Sequence, residues 1–462
     1  MKRIVLISLL ALAACKDRTA VVKPEETPVN TEAQRPAWVQ SRPVSESNYV
    51  GIGLCPKTRP DYQESAKKNA LNDLASEISV KVEGNSLLYT LDRKYQFDEQ
   101  FTSSINTKTS EQLEGYELVD SYENANEYWI YYRLSKAEHA RIKAEKKTRA
   151  ISQATDGYAR AQQSLAAGDL KGAFDQDMRA LIAIKEYWGE SDLATINGKE
   201  VPLANEIFND LQRLTSGVRL SALPERCELN YGNRFKREML VSAAYAGTGN
   251  ARDLAQLPLV LSYPGLSGKV TETKNTDTEG HVRTTVQRAD LDTPSPELLV
   301  RLDVDALVSK DLDPTFTKPL VGSLTVPELH VLIDRVMPRV FMQANETNMG
   351  QAAPDAGLAL GLKEELTRKG FRFVERASDA DLTMDLKATT REGGEASGFF
   401  TAYLDVSFNF RDRRSGDTIY EGGRQGVKGI QLTYPKAGLD AYKKAGQDLK
   451  KELVPAMLNA LL

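Results

Sequence analysis

Along this chain the spacing of apolar residues changes several times, and each change predicts an element. Residues 4–12 form an unbroken run of apolar and small side chains, far short of the roughly 20 residues a helix needs to cross a bilayer. Residues 16–35 are rich in Pro, Thr, Glu and Lys and nearly empty of large apolar side chains. Such a segment cannot bury enough surface to offset its ordering entropy, so it reads as a flexible tether. From Pro36 onward the pattern is that of a folded domain. Tyr49-Val50-Gly51-Ile52-Gly53 reads as a strand ending in a tight turn. Residues 61–78 place Ala66, Ala70, Leu74 and Ile78 on one stripe at i+4 spacing, which predicts an amphipathic helix. Its small alanines would let that helix lie close against a sheet. Residues 79–91 read as a strand. Residues 113–119 and 128–134 read as a strand pair, turned at Asn124-Ala125-Asn126.

Helical spacing takes over beyond Lys136. Tyr158, Ala161, Leu165, Ala173, Ala180 and Ile184 predict two amphipathic helices joined at Ala167-Gly168-Asp169, with Ala161 and Ala173 at their close contact. Residues 203–214 predict one more helix. Period-two spacing then appears at 218–220, 240–246, 257–263, 282–286 and 298–307, separated by Gly, Pro, Asn and Asp turns, which indicates a sandwich. The last stretch mixes both periods. It reads as a strand over 339–344, a helix over 355–369 capped by Gly370, strands at 371–374 and 382–388, and a hairpin of 403–410 with 418–421. A final helix carries Ala437, Ala441, Ala445, Leu449, Leu453 and Leu461 on one face, with Pro455 kinking it or marking a frayed end. The expected fold class is multidomain α+β: a small α+β domain (36–136), a helical hairpin arm (137–216), a β-sandwich (217–310) and a C-terminal α/β domain (324–462).

The flanks of the first apolar run give it a meaning. Lys2 and Arg3 precede it and Ala13-Ala14-Cys15 follows, so residues 1–14 read as a secretion signal. Leu12-Ala13-Ala14-Cys15 resembles the lipobox of bacterial lipoproteins. That resemblance implies cleavage before Cys15 and acylation of its thiol, with 15–35 as lipidated residue and tether. Acyl chains contribute about 0.8 kcal/mol per buried methylene, so several of them hold a soluble body to a membrane. Lys16 stands where the enterobacterial sorting rule reads Asp for inner-membrane retention, which implies the outer membrane and a periplasmic face. Lys16-Asp17 also partly resembles a surface-export signal of gliding bacteria, so surface exposure stays open.

About 450 residues remain after the signal, room for three or so domains. The net charge of −4 becomes −6 once Lys2 and Arg3 are removed, which argues against nucleic acid as the partner. Cys55 and Cys227 fall in different predicted domains and are expected as free buried thiols. His139, His281 and His330 lack metal-ligand spacing, and no nucleophile elbow, Walker loop or zinc-binding pair is present. No catalytic residue, metal or cofactor is therefore expected. Gly51-x-Gly53 lacks the third glycine of a dinucleotide fingerprint and reads as a backbone turn. Asp277 and Glu279 on one turn are too few for calcium. Arg411-Asp412-Arg413-Arg414 reads as a solvated hairpin loop in preference to a dock for an acidic partner or lipid headgroup. Of the aromatic run 128–132, half should be core, since strands favour aromatics.

Trp38, the Val50-Gly51-Ile52-Gly53 segment, the alanine-striped helix, Leu113-x-Gly115 and the strand ending Leu134-Ser135-Lys136 resemble the Lpp-twenty family of bacterial lipoproteins. The resemblance covers about 100 residues and implies a small envelope domain without catalytic residues, in a family that includes outer-membrane proteins of flagella and motility. The helical pair resembles one tetratricopeptide-type hairpin; stacked arrays need about three, so a spacer arm is expected. Residues 276–282 resemble the Thr-Asp-Gly turn of bacterial immunoglobulin-like domains. The last domain is similar in pattern to the α/β modules of curli-secretion and TolB-type proteins. The expected function is that of a non-catalytic outer-membrane lipoprotein, a scaffold or accessory factor of a motility or secretion machine. It would bind the membrane through its anchor, envelope proteins through its domains, and a second copy of itself in a homo-oligomer. The alternative is an envelope lipoprotein that captures a glycan, lipid or small molecule through its C-terminal domain.

Overall fold

The computed structural model describes residues 35–78, 83, 86–95, 113–247, 251–353 and 356–462. They divide into two compact units. The first takes residues up to 78 together with 113–142; the second takes 83, 86–95 and the described residues from 143 on.

In the first unit a short helix α1 (Ala37–Gln40) precedes strand β1 (Asn48–Pro56), helix α2 (Tyr62–Glu77) and a hairpin of β2 (Glu117–Glu123) and β3 (Glu127–Ser135). The strands are antiparallel in the order β1-β3-β2, with Gly51 opposite Tyr132 and Gly53 opposite Ile130. One face receives α2, whose Ala66, Ala70 and Leu74 are buried with Cys55, Ile130, Tyr132 and Leu134. Gly51 and Gly53 do not form the expected turn; both lie inside β1. A Cβ on Gly51 would fall 2.3 Å from the Ala70 carbonyl oxygen. The alanine stripe and the glycine pair are thus two sides of one helix-on-strand contact, which needs backbones closer than side chains permit.

In the second unit, helix α3 (Leu87–Tyr95) occupies part of the segment expected as a strand. Leu87, Leu88 and Leu91 are buried in the core of this unit, and Leu88 N donates to Trp188 O at 2.9 Å. Within the range 36–136, α3 thus belongs to the core of the second unit. Helix α4 (Lys136–Ala166) turns at 167–169 into α5 (Leu170–Ala183), with Asp169 accepting from Gly172 N at 2.8 Å as the N-cap. Ala161 and Ala173 are buried as the spacing predicts. A two-stranded hairpin, β4 (Leu193–Ile196) and β5 (Lys199–Pro202), follows. It turns on Asn197-Gly198, both left-handed, the pairing that suits a two-residue hairpin loop. Helix α6 (Leu203–Ser216) comes next. These helices are not a spacer arm. Phe174, Met178, Trp188, Ile207 and Leu211 are buried in one core continuous with the sheets that follow, because their apolar stripes have nowhere else to be covered.

Strands β6 (Val218–Leu223), β7 (Cys227–Asn230), β8 (Lys236–Tyr245), β9 (Arg252–Asp253), β10 (Pro258–Gly265), β11 (Gly268–Asn275), β12 (His281–Gln287) and β13 (Glu297–Leu302) build most of two sheets. Helix α7 (Pro314–Gly322) then leads to β14 (Glu328–Val336). One sheet runs β11-β10-β13-β14-β7 and the other β12-β8-β6, with β9 beside β8. β14 falls in the range expected for the C-terminal domain, yet it pairs antiparallel with β13 and parallel with β7. The strand expected over 298–307 stops at Leu302, and Asp305–Leu307 is a 3-10 turn.

The last module holds β15 (Arg339–Asn348), β16 (Gln351–Ala352), α8 (Leu358–Arg368), β17 (Arg372–Val374), β18 (Leu382–Ala396), β19 (Phe399–Asp412), β20 (Thr418–Gln431) and α9 (Tyr434–Asp448). Its sheet runs β16-β15-β18-β19-β20, with β17 parallel to β15. The strands β18, β19 and β20 reach 15, 14 and 14 residues, well past the expected limits, because polar residues on their outer face hid the alternation. Gly370 caps α8 as predicted, with Phe371 N donating to Leu366 O at 3.0 Å. The predicted face of the last helix is buried throughout, but a π turn at Leu449–Leu453 separates α9 from α10 (Val454–Leu461). Pro455 has no N–H to give and crowds the carbonyl four residues back, and the wider turn accommodates both.

Candidate functional site

The first unit treats its two sheet edges differently. At the β1 edge, Glu77 Oε2 accepts from Val50 N at 2.6 Å and Asp73 Oδ2 accepts from Ile52 N at 2.8 Å. Asn69 Nδ2 donates to Leu54 O at 2.9 Å, and Arg42 donates to Val50 O at 2.7 Å while holding Asp73 at 2.8 Å. Positions 69, 73 and 77 share one helical stripe, so α2 closes this edge with its polar side. The edge strand β2 is exposed along nearly its whole length, with Leu118 57% and Val119 42% exposed. Its register shifts between Leu118 and Asp120, where Val119 bulges.

The aromatic run splits as its alternation predicts. Ile130 and Tyr132 are buried against α2. Trp129 and Tyr131 point to the opposite face, half-buried beside Ile52 and Leu54. There Trp38 packs on Tyr131 at 5.6 Å between ring centroids, and its Nε1 donates to Asp120 Oδ2 at 2.8 Å. An exposed edge strand beside rigid aromatic rings is a surface that can add a partner's strand and read its side chains.

A cleft of about 720 Å³ lies in the second unit, lined by Tyr231, Arg234, Met337, Asp381, Asp412 and Arg414 among others. Tyr231 Oη donates to Asp412 Oδ2 at 2.5 Å. Asp412 Oδ1 accepts from the backbone N–H groups of Arg414 and Ser415 at 2.6 and 2.8 Å. The Tyr231 hydroxyl and these donors hold the Asp412 carboxyl below its usual range, while burial and the Asp412 partner push the Tyr231 hydroxyl up. Arg339 grips Asp381 with a two-pronged contact that lowers that carboxyl as well. Residues 411–414 are thus more than a solvated loop. Asp412 ties the turn, and Arg413 Nε donates to Ala380 O at 2.7 Å. Arg414 lines the cleft.

Between α4, α5 and α6 sits a buried carboxyl pair that periodicity does not reveal. Asp177 is fully buried. Burial, and then the neighbouring charge of Asp210, push its carboxyl up to about 10, so at neutral pH it is a protonated acid. As a carboxylate its two oxygens would meet no donor among the described residues. Asp210 pairs with Arg213 at 2.8 Å and accepts from Gln162.

Cys15 lies outside the described residues. Cys55 and Cys227 are buried and free. Each histidine has its own local setting: His139 meets the Tyr49 ring edge-on at 5.7 Å, His281 N donates to Asp277 at 2.8 Å, and His330 Nδ1 faces Glu297 at 2.8 Å. Asp277 shapes its hairpin, accepting from both Glu279 N and His281 N. Among the described residues no group of three or more His, Cys, Asp or Glu is placed to hold a metal ion, and no helix is long and apolar enough to cross a membrane. The α2 stripe that closes β1 was readable as Asn69, Asp73 and Glu77 at i+4 spacing; the Trp38–Asp120 bond, 82 residues apart, was not.

Residues 36–135 match the family model described as LPP20 lipoprotein. That match supports a membrane-associated lipoprotein of the cell envelope. No curated protein matches the chain. Among solved structures, a protein described as a neuraminyllactose-binding hemagglutinin homolog from Helicobacter pylori is 17% identical, over 26% of this chain and 89% of that one, with a TM-score of 0.19. A protein described as a lipoprotein from Caulobacter crescentus CB15 is 15% identical over 26% and 89%, with a TM-score of 0.20. Invasin, a bacterial integrin-binding protein, is 10% identical over 48% and 37%, with a TM-score of 0.19.

Proposed function

We propose that this chain is a lipid-anchored lipoprotein of the outer membrane, facing the periplasm, that acts without catalysis as a scaffold or accessory factor of an envelope machine for motility or secretion. The observation that carries the reading is a coincidence. The residues that match the lipoprotein family are those that build a sheet with an exposed β2 edge beside Trp38 and Tyr131. In this reading Cys15 bears the acyl chains, 16–35 is the tether, and β2 pairs with a strand of an envelope protein or of a second copy. The middle sheets are read as an immunoglobulin-like module, supported by the Asp277 turn, and the last module as curli-secretion- or TolB-like. The test is a photo-crosslinking residue at Val119 in cells, with acylation followed by a clickable palmitate. The expected result is label lost in Cys15→Ser and a discrete envelope-protein adduct or a homodimer adduct. An acylated, membrane-bound protein with no adduct from Val119 would overturn the docking role.

A second reading has its own observation. The 720 Å³ cleft has the size of a small-molecule site and mixes apolar walls with fixed charges. In it the protein captures a glycan, lipid headgroup or small polar molecule. Native mass spectrometry of protein purified from its own envelope should then show a bound mass that Arg414→Ala loses; an unliganded spectrum would remove this reading.

A further inference from the structure

We infer that the tip of the β18–β19 hairpin, with the adjoining end of β20, is a contact site for an anionic phospholipid surface. The hairpin turns on Ser397-Gly398, both left-handed, with Ala396 opposite Phe399. Beyond the last pair, Phe400 with Gln431, β19 begins at Phe399, and Leu432 directly follows the end of β20. Phe399 is 51% exposed, Leu432 60% and Ile430 42%. Strand alternation puts Phe399 on the same face as Thr401, and Ile430 stands directly opposite Thr401. These three large apolar side chains therefore cluster at one end of the sheet.

On β18 and β19 the rest of that face is polar apart from Tyr403, and across the sheet on β15 and β17 it holds the half-buried Phe341 and Val374. On β18 it carries Thr383, Asp385, Lys387 and Thr389, and on β19 Ser407, Asn409 and Arg411. A protein partner laid along β18 and β19 would meet little exposed apolar surface; the large exposed apolar side chains stand at the tip. Behind the tip comes a row of cations. Arg391, Tyr403 and Lys428 are register partners across three strands, with the Arg391 guanidinium 5.0 Å from the Tyr403 ring. This row lies two residues along the strands from Ile430 and Thr401, a step of about 7 Å. Lys436, exposed in the first turn of α9, adds a third cation near the tip. Arg391 is partly balanced by Asp405 at 3.6 Å. Glu395 stands opposite Phe400 on the other face of the strands.

Apolar and aromatic residues leading, an aromatic and long cations one step behind: this order matches the layers of a membrane interface, with side chains entering the acyl boundary and cations reaching headgroup phosphates. Each cation near an anionic surface strengthens binding by roughly fivefold. The contact is independent of the acyl anchor and would lay the last module on the bilayer.

The full chain carrying Cys15→Ser separates this contact from acylation. Flotation with vesicles containing about one third phosphatidylglycerol should recover it, and phosphatidylcholine vesicles or high salt should recover much less. Phe399→Ser with Leu432→Ser, and separately Lys428→Gln with Lys436→Gln, should each weaken binding by at least about tenfold. Leu223→Ser, which removes an equally exposed leucine on β6, should leave it unchanged. Phe399→Trp keeps the tip apolar, and its fluorescence should shift to the blue on anionic vesicles and be quenched by brominated lipid. Equal binding to neutral vesicles, an unshifted Phe399→Trp, or equal loss in Leu223→Ser would overturn the proposal.

Discussion

The carbonyl oxygen of Ala66 lies 1.9 Å from where a Cβ on Gly53 would stand. No rotamer change relieves such a clash, because the carbonyl is backbone and a Cβ is fixed by the backbone that bears it. Helix α2 and strand β1 must separate or the residue at 53 must stay glycine. Gly53→Ala should therefore destabilise the first unit by about 3 kcal/mol, the upper range of overpacking. Gly394→Ala, which meets nothing within 4 Å, should cost little. Denaturant unfolding of both variants checks the contrast, and similar midpoints would refute the contact.

Asp73 and Glu77 close the β1 edge, so their removal should expose it. In Asp73→Ala with Glu77→Ala the amides of Val50 and Ile52 lose their acceptors, at a cost of about 1–3 kcal/mol each. Hydrogen exchange at these two amides should quicken, and sedimentation should show association through the opened edge. Unchanged exchange would mean the carboxylates are incidental.

Asp177 binds a proton in the folded chain up to about pH 10, whereas the unfolded side chain releases it near about pH 3.9. Stability is therefore full below that lower value and is lost progressively as pH rises toward the upper one. Asp177→Asn keeps the shape and stays neutral beside Tyr158, Asp210 and Arg213. It should unfold later than the unsubstituted protein above neutral pH, by about 1–3 kcal/mol, with the alkaline decline flattened. Parallel pH profiles for the two proteins would contradict the protonated pair.

Tyr231 donates to a carboxylate, Asp412, whose affinity for protons it lowers. The stability from this bond is present above the unfolded carboxyl value of about 3.9 and is lost as pH falls through the depressed folded value. Tyr231→Phe should cost about 1 kcal/mol at neutral pH and progressively less in acid. A pH-independent difference would point to packing alone.

What the chain determined by itself is local. The stripe Ala66-Ala70-Leu74, the alternation of 128–134, the 167–169 turn with its Asp169 cap and the Gly370 helix stop all formed where spacing and capping chemistry place them. Each rests on hydrogen bonds and packing within about one or two turns of chain, which periodicity reports directly. Tertiary structure decided the rest. Gly51 and Gly53 have the same composition in a turn and in a strand; only the approach of α2 makes the strand the answer. Leu87, Leu88 and Leu91 suit a helix or a strand until Trp188 offers a surface to cover. β14 joined the middle sheet because β13 and β7 left backbone donors and acceptors unpaired between them. The open β2 edge, the Asp412 cleft and the Asp177 pair all depend on residues far apart in sequence. Pattern alone carries no distance between such residues, so these surfaces become visible only once the chain is folded.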